Sequence, residues 1–142
     1  MTKPRGVAGS FPMQKFFYGF ELTRLIDGDT MVGIIDLGFK VKLEATVRFY
    51  GINCPESRTR DKREKELAKV ATQFVANLLE DADIELMSHD YGKFGRVIAT
   101  PYATKRANFE GQSADRVNVC EALVDAGLAR WYHGGKRQPW FS

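Results

Sequence analysis

Cysteine and histidine are scarce in this chain of 142 residues, with two of each: Cys54, Cys120, His89 and His133. Their scattered positions match no zinc framework and no disulfide scaffold, and a reduced intracellular setting fits. Cys54 as a nucleophile would need a histidine base, and neither histidine stands in a recognisable context for that role. Long apolar runs are missing as well. Nowhere do the roughly eighteen consecutive apolar residues of a membrane span occur. The opening MTKPRGVAGSFPMQKFF has basic residues but lacks the apolar core of a signal peptide, so a cytoplasmic protein without membrane contact is expected. No internal repeat or low-complexity tract is visible. Charge of one sign is not in large excess either, the formal net charge being +3. Its distribution says more than its sum. Arg58, Arg60, Lys62, Arg63 and Lys65 crowd one segment, and the pairs Lys105-Arg106 and Lys136-Arg137 mark two others.

What is present reads as one globular domain. With 44% hydrophobic and 27% charged residues, the chain is large enough for a single core without staples. Residues 1–15 are expected to be a flexible N-terminal segment and 16–142 the folded domain. From Phe16 to Asp36 the sequence is rich in β-branched and aromatic residues, and Asp27-Gly28-Asp29 reads as a turn or bulge between two strands. Asp36-Leu37-Gly38 reads as the loop of a hairpin. In the next strand Val41, Leu43, Ala45, Val47 and Phe49 alternate with polar residues, which places Arg48 away from the apolar row.

After Pro55 the period changes. Leu67, Val70, Ala71, Phe74, Leu78 and Leu79 form a helical stripe between about Arg60 and Asp81. Strands follow at Ile84 to Ser88 and Arg96 to Ala103, joined by a glycine-containing loop from His89 to Gly95. Lys105 to Arg116 reads as a mobile loop. Asn118 with Glu121 forms a capping signature for a helix that ends at Gly127. Such an order suits an α+β fold, mainly β: a five-stranded OB-type barrel carrying two to three helices.

Single motifs in this order are ambiguous. A DGD triplet is most often only a tight turn, a glutamate after proline a helix-start carboxylate, an arginine at a strand end a surface cation. Taken in sequence they are specific: IDGDT at Ile26 to Thr30, RFYGINCPE at Arg48 to Glu56, KFGR at Lys93 to Arg96, and CEALVDAGLA at Cys120 to Ala129. The set resembles the staphylococcal nuclease (thermonuclease) family from about Leu25 to Tyr132.

The resemblance implies an OB-fold barrel and a calcium-dependent phosphodiesterase, or endonuclease, that acts on DNA and RNA and leaves 3′-phosphates. Single-stranded nucleic acid is the expected preferred partner, and a monomer is expected. Residue by residue, it implies Asp29 as a metal ligand with Asp27 in support, and Asn53 and the backbone carbonyl of Cys54 completing the metal site. Glu56 would activate the attacking water, and Arg48 and Arg96 would clamp the phosphate. Lys93, Phe94, Arg58, Arg60 and Tyr132 would bind substrate. This division suits the chemistry, because planar cationic donors and a metal neutralise the charge of the transition state while a carboxylate takes the proton of water.

The chain departs from the family pattern in four places, one being the short stretch between Glu56 and the helix, where some members carry a long flexible loop. Asn53 stands where an aspartate is usual, which removes one negative charge from the metal site and predicts weaker calcium binding. Cys54 replaces a threonine, which leaves a backbone carbonyl ligand intact. Phe94 replaces a tyrosine. The competing reading is an OB module that binds single strands through basic grooves and aromatics such as Tyr50, Tyr91, Trp131 and Tyr132 without cutting them.

Overall fold

A computed structural model describes residues 16–92, 95–106 and 115–141 of the protein. The expected flexible segment 1–15, Lys93, Phe94 and most of the expected loop between Lys105 and Arg116 lie outside the described residues.

Three long strands open the chain: β1 (Phe17–Asp27), β2 (Thr30–Gly38) and β3 (Val41–Phe49). After the two-residue β4 (Ile52–Asn53) comes α1 (Lys62–Leu79), followed by β5 (Ala82–Tyr91) and β6 (Val97–Lys105). The short β7 (Val117–Asn118), α2 (Val119–Asp125) and β8 (Arg130–Trp131) complete the described chain. The main sheet runs β3-β2-β1-β5-β6-β7, and a parallel pairing of β3 with β6 closes five of its strands into a barrel. Closure removes the sheet edges that would otherwise stay unpaired. The expected barrel with helices packed on it is therefore the observed fold, with two helices among the described residues.

The core fills the barrel and continues under α1. Phe20, Met31, Val47, Phe49, Ile52 and Leu86 are buried inside, and Ala68, Ala71, Val75 and Leu79 form the buried stripe of α1. Asp61 caps α1, its carboxylate accepting from the backbone N–H of Arg63 at 2.9 Å. The capping signature of α2 holds too: Asn118 Oδ1 accepts from the Glu121 N–H at 3.1 Å, and Gly127 follows the helix in the left-handed region.

Local expectations fail in four places, the first being the loop expected from His89, since β5 stays paired with β6 as far as Tyr91. The hairpin turn lies at Phe39-Lys40, both with positive φ, because Asp36 Oδ1 accepts from the Gly38 N–H and carries β2 on to Gly38. Val41 and Leu43 are exposed although they continue the apolar row of β3, since this end of the hairpin projects past the barrel core. Val70 is exposed on α1, where alanines rather than larger residues make the close approach to the sheet.

One glycine matters for the site. Gly28 is buried between β1 and β2, and a Cβ there would meet the Ala71 Cβ and the Cys54 Sγ, each at 3.0 Å. The turn that carries the two aspartates is thereby pressed against both α1 and the segment after β4.

Candidate active site

The turn between β1 and β2, the end of β3 and the segment around β4 converge at one end of the barrel. Antiparallel pairing sets Thr30 opposite Arg48. The Phe49 N–H donates to the Asp29 carbonyl at 2.8 Å, which fixes the turn to β3. Asp29 is buried, with 7% of its surface exposed, and it is not left alone there. Its Oδ2 accepts from the Cys54 N–H at 2.8 Å, its Oδ1 from the Thr30 hydroxyl at 3.0 Å, and Arg48 Nη1 lies 3.4 Å from Oδ2. A buried carboxylate without such partners would be costly to the fold.

Arg48 is anchored through both terminal nitrogens of its guanidinium. Nη1 donates to the Phe49 carbonyl at 2.9 Å, and Nη2 donates to the Ile52 carbonyl at 2.8 Å and to Asn53 Oδ1 at 2.5 Å. The planar fork suits this arrangement, which an ammonium could not reproduce. Strand parity accounts for its position: β3 turns Val47 and Phe49 into the core and Arg48 the other way. Arg96 immediately precedes β6 and is partly buried. It stands two residues before Ile98, the β6 partner of Arg48, so alternation puts it on the same side of the ladder.

Glu56 follows the β4 turn. Its N–H donates to Glu64 Oε2 at 2.9 Å, which ties the turn to the first turn of α1. Its carboxylate pairs with Arg137 Nη1, while Arg137 Nη2 donates to the Cys54 carbonyl at 3.0 Å. Arg137 is a contributor that motif reading missed. Its only signal in the sequence is the basic pair Lys136-Arg137, and the contact spans 81 positions along the chain. Thr30 and Arg130, the latter opposite Asn53 in the β4–β8 pairing, were missed as well.

The remaining expected residues are placed around this centre. The Asp27 carboxylate accepts from the Ser57 N–H at 3.2 Å and so flanks the site. Arg58 and Arg60 are exposed in the segment before α1. Tyr132 donates its N–H to the Gly51 carbonyl at 2.7 Å and its hydroxyl to the Gly135 carbonyl at 2.6 Å. It lines a groove of about 360 Å³ with Arg48, Tyr50, Ile98 and His133. Tyr50 stacks on His89 in this region, ring centroids 3.7 Å apart and 2° from parallel.

Both cysteines are buried thiols. Burial pushes the Cys54 thiol far above its ordinary range, and the neighbouring Asp29 charge adds to the effect. Burial likewise raises Cys120 to about 12, with Arg48 opposing it. Burial thus favours the neutral thiol in both, which disfavours a nucleophilic role. A thiol reagent is expected to leave both unmodified in the native protein and to modify both after denaturation. The folded state holds these thiols neutral, so its stability is intact below pH 9.0, the ordinary thiol value, and falls as the unfolded chain ionises above it. Melting temperature should drop above that pH, and less steeply in a Cys54→Ala, Cys120→Ala double variant; an identical slope would contradict the assignment.

The oxygen donors at the turn are the Asp29 carboxylate, the Asn53 amide and the Cys54 carbonyl, flanked by Asp27. Hard oxygens of this kind fit calcium and disfavour thiophilic ions. They are few, and two of them already accept from guanidinium groups: Asn53 from Arg48 and Cys54 from Arg137. Among the described residues no three His, Cys, Asp or Glu side chains group together as metal ligands.

A family model described as staphylococcal nuclease homologue matches residues 46–139, most of the chain. The chain belongs to this family. The matched span contains Arg48, Asn53, Glu56 and Arg96, and Asp29 lies before it. Domains of the staphylococcal nuclease family are generally nucleases and act on nucleic acids, in keeping with the barrel and its cationic end. No curated protein matches the chain in sequence. Among the described residues no helix is long and apolar enough to cross a membrane.

Proposed function

We propose that the protein is a calcium-dependent nuclease that hydrolyses phosphodiester bonds of DNA or RNA, preferentially single-stranded, to products ending in 3′-phosphate. The observation that carries this reading is the buried Asp29–Arg48 pair, 3.4 Å apart, locked to the same turn that presents Glu56. A binding module needs exposed cations. It has no need of a buried carboxylate held beside an anchored guanidinium and an adjacent second carboxylate.

In this reading Arg48 and Arg96 hold the scissile phosphate and stabilise the charge that develops on its oxygens. Glu56 takes the proton of the attacking water, with Arg137 orienting its carboxylate. Asp29, Asn53 and the Cys54 carbonyl would hold calcium, which when bound supplies neutralising charge to a phosphoryl oxygen. Tyr50 and Tyr132 offer flat surfaces to the bases in the groove beside Arg48.

A second reading has one observation in its favour. The contact of Arg137 with Glu56, together with the neutral Asn53, would suit a domain that binds nucleic acid and no longer cuts it. The two readings part on the products. Single-stranded DNA incubated with the protein and calcium should yield fragments that a polymerase cannot extend until a phosphatase removes their 3′-phosphates. Fragments extendable without that treatment would refute the assigned chemistry, and bound but uncut DNA would favour the binding module.

A further inference from the structure

Beyond β8 the chain folds back over the β4 turn and encloses a cavity of about 250 Å³, lined among others by Asn53, Arg130, Trp131, Lys136, Arg137 and Trp140. Among its described lining residues there are three Lys or Arg side chains and no carboxylate. The Glu56 carboxylate pairs with Arg137, one of these lining residues. Both tryptophans of the chain stand in its wall.

The fold-back is held at several points. Arg130 Nη1 donates to the Pro139 carbonyl at 3.1 Å and to the Gln138 carbonyl at 3.3 Å, while its guanidinium covers the Trp140 ring at 3.9 Å. Arg63, at the start of α1, lies 4.7 Å over the Phe141 ring. The cavity is thus walled by an anchored segment. Trp131, opposite Ile52 in the β4–β8 pairing, remains 56% exposed and presents a flat apolar surface.

With Arg137 paired to Glu56, Arg130 and Lys136 leave the wall a net positive charge, which favours an anion over a metal ion. An exposed indole selects a flat ring. A ligand that satisfies both carries phosphate and an aromatic base, and the volume, just below the roughly 300 Å³ at which small-molecule pockets begin, admits one such unit. We propose that this cavity is a second nucleotide subsite, adjoining the Tyr50–Tyr132 groove across the shared residues Tyr132, His133 and Gly134, that holds the nucleotide next to the one whose phosphate Arg48 clamps. Its wall includes Asn53, whose amide oxygen accepts from Arg48, so it opens directly beside the candidate site. The inference rests on the nucleic-acid reading given above.

The test uses the full chain in chelator, with a labelled single-stranded thymidine oligomer followed by anisotropy and by tryptophan emission in the same titration. Emission is expected to be quenched in step with the rise in anisotropy, because both tryptophans wall the cavity. Trp131→Ala should raise the Kd by about tenfold or more, as loss of a stacked base does. Lys136→Ala, at an exposed position that does not threaten folding, should reduce the salt dependence of binding by about one counterion. Inorganic phosphate alone should not quench at the concentration where the oligomer saturates.

Binding by anisotropy with unchanged emission, and with wild-type affinity in both variants, would overturn the subsite while leaving nucleic-acid binding intact. Quenching by inorganic phosphate equal to that by the oligomer would make the cavity a simple anion site and overturn the nucleotide assignment. No anisotropy change at low salt would overturn the subsite and the nucleic-acid reading together.

Discussion

Arg48→Ala is expected to lower kcat by roughly two to three orders of magnitude, the usual effect of removing a donor aimed at developing charge. Arg48 also has a structural share, which must be separated from the catalytic one. Its guanidinium faces the buried Asp29 and bonds two backbone carbonyls and Asn53 Oδ1. Removing it should cost about 3 kcal/mol of stability, since a buried carboxylate is left without its cation. Asp29 keeps its bonds from the Cys54 N–H and the Thr30 hydroxyl, so the fold should survive. Kinetics measured per folded molecule, with a denaturation curve alongside, resolve the two effects. Arg48→Lys should restore charge and part of the stability but little of kcat, because an ammonium cannot make the four contacts in one plane. A change confined to KM in both variants would reduce Arg48 to a substrate anchor.

Glu56→Gln should have the second large effect, a fall in kcat of about a hundredfold to ten-thousandfold with little change in the calcium midpoint. The substitution is nearly isosteric. The new amide oxygen can still accept from Arg137, so the turn should stay in place and the loss should report proton transfer rather than disorder. The Glu56–Arg137 pair is half-exposed on both sides and worth at most about 1 kcal/mol, which makes the variant a safe one structurally. Retained kcat would remove Glu56 from the chemistry and shift the balance toward a binding domain.

Much of this arrangement was legible in the sequence where local physics decides. The Asp27-Gly28-Asp29 turn, the alternation that turns Arg48 away from the core and the Asn118 cap each depend on a few neighbouring residues, and each appears as expected. Barrel closure follows from the family motifs rather than from periodicity, since the β3–β6 pairing that closes it joins residues 50 positions apart. The two-residue strands β4 and β8 carry no readable pattern, and without them nothing in the sequence brings the C-terminal segment back over Glu56. Arg137 and the Trp131–Trp140 wall were therefore hidden. The misplaced hairpin turn has a different cause: two non-glycine residues, Phe39 and Lys40, take left-handed conformations that composition alone does not favour.

The central claim is that the converged Asp29, Arg48 and Glu56 cut nucleic acid with calcium rather than merely hold it. The most direct measurement is the rate of cleavage of labelled single-stranded DNA by the wild-type protein, followed first in calcium and then after a chelator is added to the same reaction. Cleavage that proceeds in calcium and stops on chelation is the expected result. Stable binding without product at any concentration of divalent metal would contradict it.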